Sequence, residues 1–174
     1  MIYITRHGET DWNVEGRCAG RTDIELNGTG IEQAKEIKEK LAGIKFDKVF
    51  SSPLKRSYQT AKIISNIDIT IDDRLIERCN GQLEGKLRSD APKDINFNDP
   101  NVGYGIESII DFRKRIEDFC KELEENYKNK NVLVVTHAGV SIYIKCYFEG
   151  EPKDGNYSKF RLKNCEILEY NNKE

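Results

Sequence analysis

Two short runs of apolar residues lack the polar alternation of a half-exposed strand. They span residues 2–5 and 132–136, and a third short run, 48–51, directly precedes Ser52 and Pro53. Continuous apolar runs of this length are typical of strands that helices cover on both faces of a parallel sheet. We therefore predict that the first two runs are buried strands of such a sheet.

Apolar residues at helical spacing predict helices between these strands. Asn27 is a suitable N-cap for the first helix, because its side chain can accept a hydrogen bond from a backbone amide of the first turn. This helix is expected to bury residues that recur at helical spacing, namely Ile31, Ala34, Ile37 and Leu41. Further helices are predicted over 54–65, 107–127 and 139–148, and two closing strands over 157–162 and 165–170.

The alternation of strands and helices predicts an α/β fold, a three-layer α/β/α sandwich with a mostly parallel central sheet. A chain of 174 residues fits one domain, which is expected to span 1–174. The stretch 86–105 contains two prolines and shows no clear period. We expect it to be a small cap loop rather than a linker, because the strand-helix pattern resumes after it. We also expect this loop to select the substrate.

Composition narrows the function classes. The chain is 37% hydrophobic and 33% charged, with a net charge of -2, and no basic cluster suggests nucleic acid. No apolar run approaches the roughly 20 residues that span a bilayer. The N-terminus lacks the basic leader and long apolar region of a signal peptide, and the five cysteines form no C-x-x-C pair, so a cytoplasmic protein with reduced thiols is expected. The sequence leaves the oligomeric state open.

The two histidines carry the strongest chemical indication. His7 and His137 each follow the end of a predicted buried strand within two residues, and glycine follows each of them closely. If these strands are parallel neighbours, the two imidazoles meet at the edge of the sheet where ligands bind in open α/β folds. With only two histidines a zinc site built from several is excluded, and neither a metal nor an organic cofactor is expected.

Arginines near these strand ends indicate a phosphate ligand. Arg6 adjoins His7, and Arg56 begins the helix after the third run; their planar guanidiniums would bind phosphate oxygens in pairs, although Arg56 could instead form a salt bridge within its helix. A neutral imidazole is a competent nucleophile near neutral pH, so His7 could accept a phosphoryl group. Glu77 is the candidate general acid for the leaving alkoxide, with Glu84 as its rival.

Two further arginines are less clearly assigned. Arg17 and Arg78 could reach the other end of a substrate, but they could equally be ordinary surface arginines.

These histidines, arginines and acidic residues lie in motifs that resemble those of the histidine phosphatase superfamily, the phosphoglycerate mutase-like proteins. The resemblance implies that His7 is the phosphorylated nucleophile, that Glu77 is the proton donor, and that Arg6, Asn13, Arg56 and His137 contact the phosphate. It rests on collinear blocks across nearly the whole chain: Arg6-His7-Gly8-Glu9-Thr10, Trp12-Asn13, Gly20 to Leu26, Gly30 with Gln33-Ala34, Ser51 to Ala61, Glu77-Arg78, Gly81, Glu84-Gly85, Gly105 to Ser108, and Thr136-His137-Ala138-Gly139.

Two positions depart from the family's pattern. Asn27 stands where Thr or Ser is common, which an N-cap tolerates, and Ile106 stands where a second glycine is common. The second departure concerns the shape of the local loop rather than the chemistry.

The leading hypothesis is a phosphomonoesterase that hydrolyses a small-molecule phosphate ester through a phosphohistidine intermediate on His7. One alternative is a cofactor-dependent phosphoglycerate mutase. Mutases of this family generally have a longer insertion after the acid, whereas residues 86–105 alone fill that place here. The other alternative is a non-catalytic domain that binds phosphorylated ligands, and such members usually lack a catalytic residue. The partner is expected to be a small phosphorylated metabolite: a sugar phosphate, a phosphoglycerate, a nucleotide-pathway intermediate or ribazole phosphate.

Overall fold

One five-stranded sheet organises the computed structural model, which describes residues 1–172. The strand order is β3-β2-β4-β1-β5; the first four strands run parallel, and β5 runs antiparallel to β1. The strands are β1 (Ile2–Arg6), β2 (Lys48–Ser51), β3 (Ile69–Ile71), β4 (Val132–Thr136) and β5 (Ile167–Tyr170).

Helices cover both faces of this sheet, so the predicted three-layer α/β/α fold is confirmed. The α-helices are α1 (Asp11–Val14), α2 (Gly28–Lys40), α3 (Lys55–Ile64), α4 (Ile109–Asn126) and α5 (Ala138–Glu149). Four short 3₁₀ helices lie at Asp73–Leu75, Gly81–Leu83, Arg88–Asp90 and Tyr157–Phe160. Within residues 1–172, no helix combines the length and the apolar character needed to cross a membrane.

Successive residues of the central strands enter two separate cores. Tyr3 and Leu133 pack with residues of α2 and α3, whereas Ile4 and Val134 pack with residues of α4 and α5. Side chains that alternate along a strand point to opposite faces of the sheet. Both faces are therefore apolar, which explains why the strand runs show no polar alternation in the sequence.

The register of β1 and β4 aligns the ends of these two strands. Arg6 pairs with Thr136, and the backbone amide of His7 donates to the Thr136 carbonyl at 2.9 Å, one residue beyond the strand. His7 and His137 consequently leave the sheet side by side, although 130 residues separate them along the chain.

The prediction of a strand over 157–162 is wrong. Residues Tyr157–Phe160 form a 3₁₀ helix, because the Asn156 side chain accepts from the Ser158 amide and Gly155 adopts a left-handed conformation with φ of 67°. β5 occupies the edge of the sheet beside β1 without it. The short edge strand β3 was not anticipated, and Ile31 of α2 is 38% exposed rather than buried.

The segment 86–105 contains one 3₁₀ helix and otherwise turns. Its beginning is attached to the α1 region, since the Cys18 amide donates to the Lys86 carbonyl and the Arg88 amide donates to the Gly16 carbonyl. Just beyond it, Ile106 is buried and forms an isolated bridge with Asn80. Ile106 has no positive φ, so this position does not require the glycine that is common there.

A substitution at Gly30 tests how tightly α2 packs against the loop that follows β1. A Cβ at Gly30 would lie 2.6 Å from the Glu9 amide nitrogen and would also clash with the Glu9 carbonyl. Helix propensity favours alanine over glycine by about 1 kcal/mol, but the overpacking costs about 1–3 kcal/mol. We expect Gly30→Ala to lower the free energy of unfolding in a denaturant titration. Gly28→Ala is the matched control, because open space surrounds Gly28 on the same helix; equal effects of both changes would contradict the packing argument.

Candidate active site

A cavity of about 390 Å³ opens at the carboxyl ends of β1 and β4. It is lined by five of the six residues predicted to form the site: Arg6, His7, Asn13, Arg56 and Glu77. His137, the sixth, is fully buried behind the lining, and its ring centroid lies 5.2 Å from that of His7. The fold thus brings all six predicted residues to one place.

The imidazole of His7 is held in one orientation. Its Nδ1 lies 2.7 Å from the Gly8 carbonyl, which can only accept a hydrogen bond, so Nδ1 carries the proton of the neutral ring and Nε2 keeps its lone pair. Burial, and then the charges of Arg56 and Arg6, hold the pKa of His7 well below its ordinary value, against the Gly8 carbonyl that raises it. The ring is therefore neutral at physiological pH.

His137 is positioned by Ser52, a residue that we did not single out from the sequence. Its Nε2 lies 2.7 Å from Ser52 Oγ, which also accepts from the Leu54 amide at 3.3 Å. Its Nδ1 is buried without a hydrogen-bond partner among the described residues. Burial, followed by the charge of Arg56, holds the pKa of His137 well below its ordinary value. An unpartnered buried nitrogen beside the cavity is available to a ligand.

Arg56 is a buried cation without a carboxylate partner. It is 1% exposed, and its two terminal nitrogens donate to the Thr22 carbonyl at 2.8 Å and the Gly20 carbonyl at 2.7 Å. It forms no salt bridge with any described residue, so the proposed pairing within its own helix is not seen. Two neutral carbonyls orient this charge without neutralising it, which leaves it available to an anion.

Arg6 is the second cation at the deep end of the cavity. Its Nη1 donates to the Leu162 carbonyl at 3.1 Å, and its Nε is buried without a partner in the described part of the chain. Burial lowers the pKa of Arg6 to about 10, although the negative charge of Glu77 acts in the opposite direction. The guanidinium still carries its charge at neutral pH.

Both carboxylate oxygens of Glu77 accept backbone amides. Oε1 accepts from Arg78 at 2.8 Å, and Oε2 accepts from Gly139, in the first turn of α5, at 2.9 Å. A side chain at position 139 would collide with this carboxylate, so glycine is required for the approach. The backbone carbonyl of Glu77 in turn accepts from Arg21 at 3.2 Å and Arg115 at 3.3 Å.

Asn13 presents its amide nitrogen to the cavity. Its Oδ1 accepts from the Thr10 amide at 3.2 Å and from Asn164 Nδ2 at 3.2 Å, which fixes the oxygen away from a ligand. Asn164 Nδ2 also donates to the His7 carbonyl at 2.9 Å. Asn164 therefore links two residues of the site, and nothing in its sequence context indicated this role.

Comparison with known proteins shows the family of this chain. The model of the histidine phosphatase superfamily (branch 1) matches residues 2–174. This chain belongs to the histidine phosphatase superfamily. Its similarity to that family therefore covers the sheet, both helical layers and all six site residues.

Similar members of the superfamily include named phosphatases. The uncharacterized phosphatase PhoE of Bacillus subtilis is 36% identical over 145 residues, which are 82% of this chain and 73% of that protein. Phosphoserine phosphatase 1 of Hydrogenobacter thermophilus is 31% identical over 180 residues, 97% of this chain and 83% of that protein. These relatives and the family match support phosphomonoesterase activity.

A solved structure of similar fold is a mutant phosphoserine phosphatase of Entamoeba histolytica in complex with phosphoserine. Its TM-score is 0.83 at 31% identity, and the match covers 95% of this chain and 87% of that chain. The same enzyme in complex with 3-phosphoglyceric acid matches with a TM-score of 0.82, at the same identity and coverage.

Glu84, the alternative candidate for the general acid, has a different role in this histidine phosphatase. Its carboxylate accepts from the amides of Arg21 at 3.0 Å and Asn80 at 2.9 Å, and from the Thr22 hydroxyl at 2.9 Å. It does not line the cavity. Because Gly20 and Thr22 supply the carbonyls that hold Arg56, Glu84 braces the loop that orients this arginine.

Arg17 and Arg78, the two other candidate arginines, differ in their position relative to the cavity. The side chain of Arg17 bonds to Glu15 and to the Gly85 carbonyl and does not line the cavity. Arg78 does line it, but donates to the carbonyls of Glu107 at 2.9 Å and Phe97 at 2.8 Å. Through its bond to Phe97, Arg78 thereby connects the segment 86–105 to the part of the chain that carries Glu77.

Substitutions at Glu84 distinguish a residue that stabilises the loop around Arg56 from a proton donor. Glu84→Ala removes all three hydrogen bonds, and we expect a loss in kcat/KM of about tenfold to a hundredfold because the loop that holds Arg56 loosens. Glu84→Gln keeps the oxygen that accepts two amides, so it should stay within about threefold of wild type. Steady-state hydrolysis of p-nitrophenyl phosphate measures both. A loss as large in Glu84→Gln as in Glu84→Ala would show that the carboxylate itself is needed.

Proposed function

We propose that this histidine phosphatase hydrolyses a small phosphomonoester in two steps, through phosphorylation of His7. The observation that carries the proposal is the pairing of a neutral, oriented imidazole with the buried guanidinium of Arg56 and the half-buried guanidinium of Arg6, neither of which forms a salt bridge with a described residue. Such a site has a nucleophile and an unneutralised positive charge at the same place. A phosphate monoester supplies the electrophile and the missing negative charge.

In the first step, His7 Nε2 attacks phosphorus and the bond to the ester oxygen breaks. Arg6 and Arg56 stabilise the negative charge on the equatorial oxygens, because donors aimed at the transition state cost no reorganisation. The Asn13 amide and His137 Nδ1 supply further donors, the latter when the Ser52 hydroxyl donates its proton to His137 Nε2. The protonated carboxyl of Glu77 gives its proton to the leaving alkoxide.

In the second step, the Glu77 carboxylate takes a proton from water as the water oxygen attacks the phosphohistidine. The P–N bond breaks, inorganic phosphate is released, and His7 regains its neutral form. Depression of the His7 pKa favours both steps, since the attacking nitrogen stays unprotonated at neutral pH. The short 86–105 segment is consistent with entry of water, and hence with hydrolysis rather than return of the phosphoryl group to substrate.

The relatives suggest the first substrates to test. Enzymes similar to this chain are named phosphoserine phosphatases, and one has been solved with phosphoserine and with 3-phosphoglyceric acid. We extend to this chain only the general class of a small phosphorylated metabolite. Within residues 1–172, no group of three or more His, Cys, Asp or Glu residues is arranged to hold a metal ion.

The variant His7→Ala tests the nucleophile. We expect activity to fall by at least about a thousandfold, because the covalent step is lost, while the circular dichroism spectrum and unfolding midpoint stay close to wild type. Rapid quenching of the wild-type enzyme with substrate should give an acid-labile adduct of one phosphoryl group, located at His7 by mass spectrometry. Substantial turnover by His7→Ala, or an adduct elsewhere, would refute the mechanism.

The variant Glu77→Gln tests the general acid through the leaving group. A primary alkoxide needs a proton and p-nitrophenolate hardly does, so hydrolysis of glycerol 3-phosphate should slow far more than hydrolysis of p-nitrophenyl phosphate, by about a hundredfold against a few-fold. Equal slowing of both substrates would assign the proton transfer to another group.

A mutase is distinguished in the same assay. Phosphate release from 3-phosphoglycerate in the presence of EDTA is the expected result, with isomerisation to 2-phosphoglycerate followed in parallel. Isomerisation without release would replace the proposal with the mutase alternative.

A further inference from the structure

Three cationic side chains line the cavity at some remove from the nucleophile, where the cavity meets solvent. Lys86 and Arg88 begin the segment 86–105, and Arg161 follows the 3₁₀ helix Tyr157–Phe160. All three are exposed to solvent and line the same cavity as His7. We call Lys86, Arg88 and Arg161 the rim cations.

The rim cations lack partners. Within residues 1–172, none of their side chains forms a hydrogen bond or a salt bridge. Two half-exposed arginines elsewhere are paired, Arg17 with Glu15 and Arg113 with Glu151. The only carboxylate in the lining is that of Glu77, whose two oxygens already accept backbone amides.

The charges at the rim also act on the deep end of the cavity. The positive charges of Arg161 and Arg88 both favour the neutral form of Arg6, so each lies within electrostatic reach of the Arg6 guanidinium. Like charges gathered around one cavity repel, and the resulting field attracts anions. The arrangement is relieved when a ligand brings more negative charge than the deep end alone accommodates.

A phosphate group does not account for all of this positive charge. It brings at most about two negative charges, which the guanidiniums of Arg6 and Arg56 match. Apolar side chains line the same cavity, namely Leu83, Leu87, Phe97, Phe112 and Ile142. A ligand that fits this lining has a phosphate, a carbon body and a second anionic group.

We infer that the substrate is a small phosphomonoester with a carboxylate on its carbon body, and that Arg88 and Arg161 bind this carboxylate at the rim. This inference rests on the proposed function, which places the phosphate at the deep end. A guanidinium can bind both oxygens of a carboxylate in parallel, and a single negative charge suits cations that are exposed to solvent. Lys86 adds to the field as a point charge.

A matched pair of substrates tests the inference. 3-Phosphoglycerate and glycerol 3-phosphate differ only in a carboxylate against a hydroxymethyl group, so the ratio of their kcat/KM values isolates the carboxylate. We expect the wild type to prefer 3-phosphoglycerate by about tenfold or more, and high ionic strength to reduce the preference. Arg88→Ala and Arg161→Ala should each lower the ratio about threefold, chiefly through KM, and the double variant should bring it near one. Arg113→Ala, a change of an exposed arginine outside this cavity, should leave the ratio unchanged.

The possible failures are distinguishable. No hydrolysis of p-nitrophenyl phosphate or of either ester would contradict the proposed function itself. Hydrolysis with a wild-type ratio near one, or with a preference that Arg88→Ala and Arg161→Ala leave intact, would overturn the role of the rim and keep the phosphatase. A ratio lowered equally by Arg113→Ala would reduce the effect to overall charge and would also overturn it.

Discussion

The parallel pairing of β1 with β4 is the constraint on which the site depends. Its register places Arg6 opposite Thr136, and the bond from the His7 amide to the Thr136 carbonyl extends the pairing to the first residue beyond the strand. A slip of one residue would exchange the two faces of β1 and carry Ile4 out of its core. The apolar packing on both faces therefore fixes the relative position of the two imidazoles.

The site also depends on buried positive charge, and hydrogen bonds to the backbone offset the lost hydration of this charge only in part. A guanidinium as buried as Arg56 loses its hydration, and two carbonyls replace some of the lost hydrogen bonds without cancelling the charge. Glu84 holds the loop that supplies those carbonyls. The same burial and the same charges keep His7 neutral, so one environment both attracts a phosphate and preserves the nucleophile.

Much of this arrangement follows from the sequence. The strand runs and the helical spacing indicated the layers, and the histidines after two of those strands located the site. One failure concerns contacts between distant segments: Asn164 holds His7 and Asn13 from a loop near the end of the chain, and no local pattern marks such a residue. The strand predicted over 157–162 failed because apolar residues suited to a strand also suit a short helix when Gly155 and Asn156 begin a turn.

The neighbouring residues Glu77 and Arg78 have different roles. Glu77 is the proposed general acid, whereas Arg78 holds the segment that contributes to substrate selection. The Glu77 carboxylate is fixed by amides of its own segment and of α5, neither of which belongs to residues 86–105. Arg78 instead bonds to the carbonyls of Glu107 and Phe97, so it holds the segment that also carries Arg88. Because these contacts use backbone carbonyls, the side chains of that segment can change without loss of its attachment. Its sequence can therefore vary the rim, and with it the substrate, while the position of the general acid stays the same.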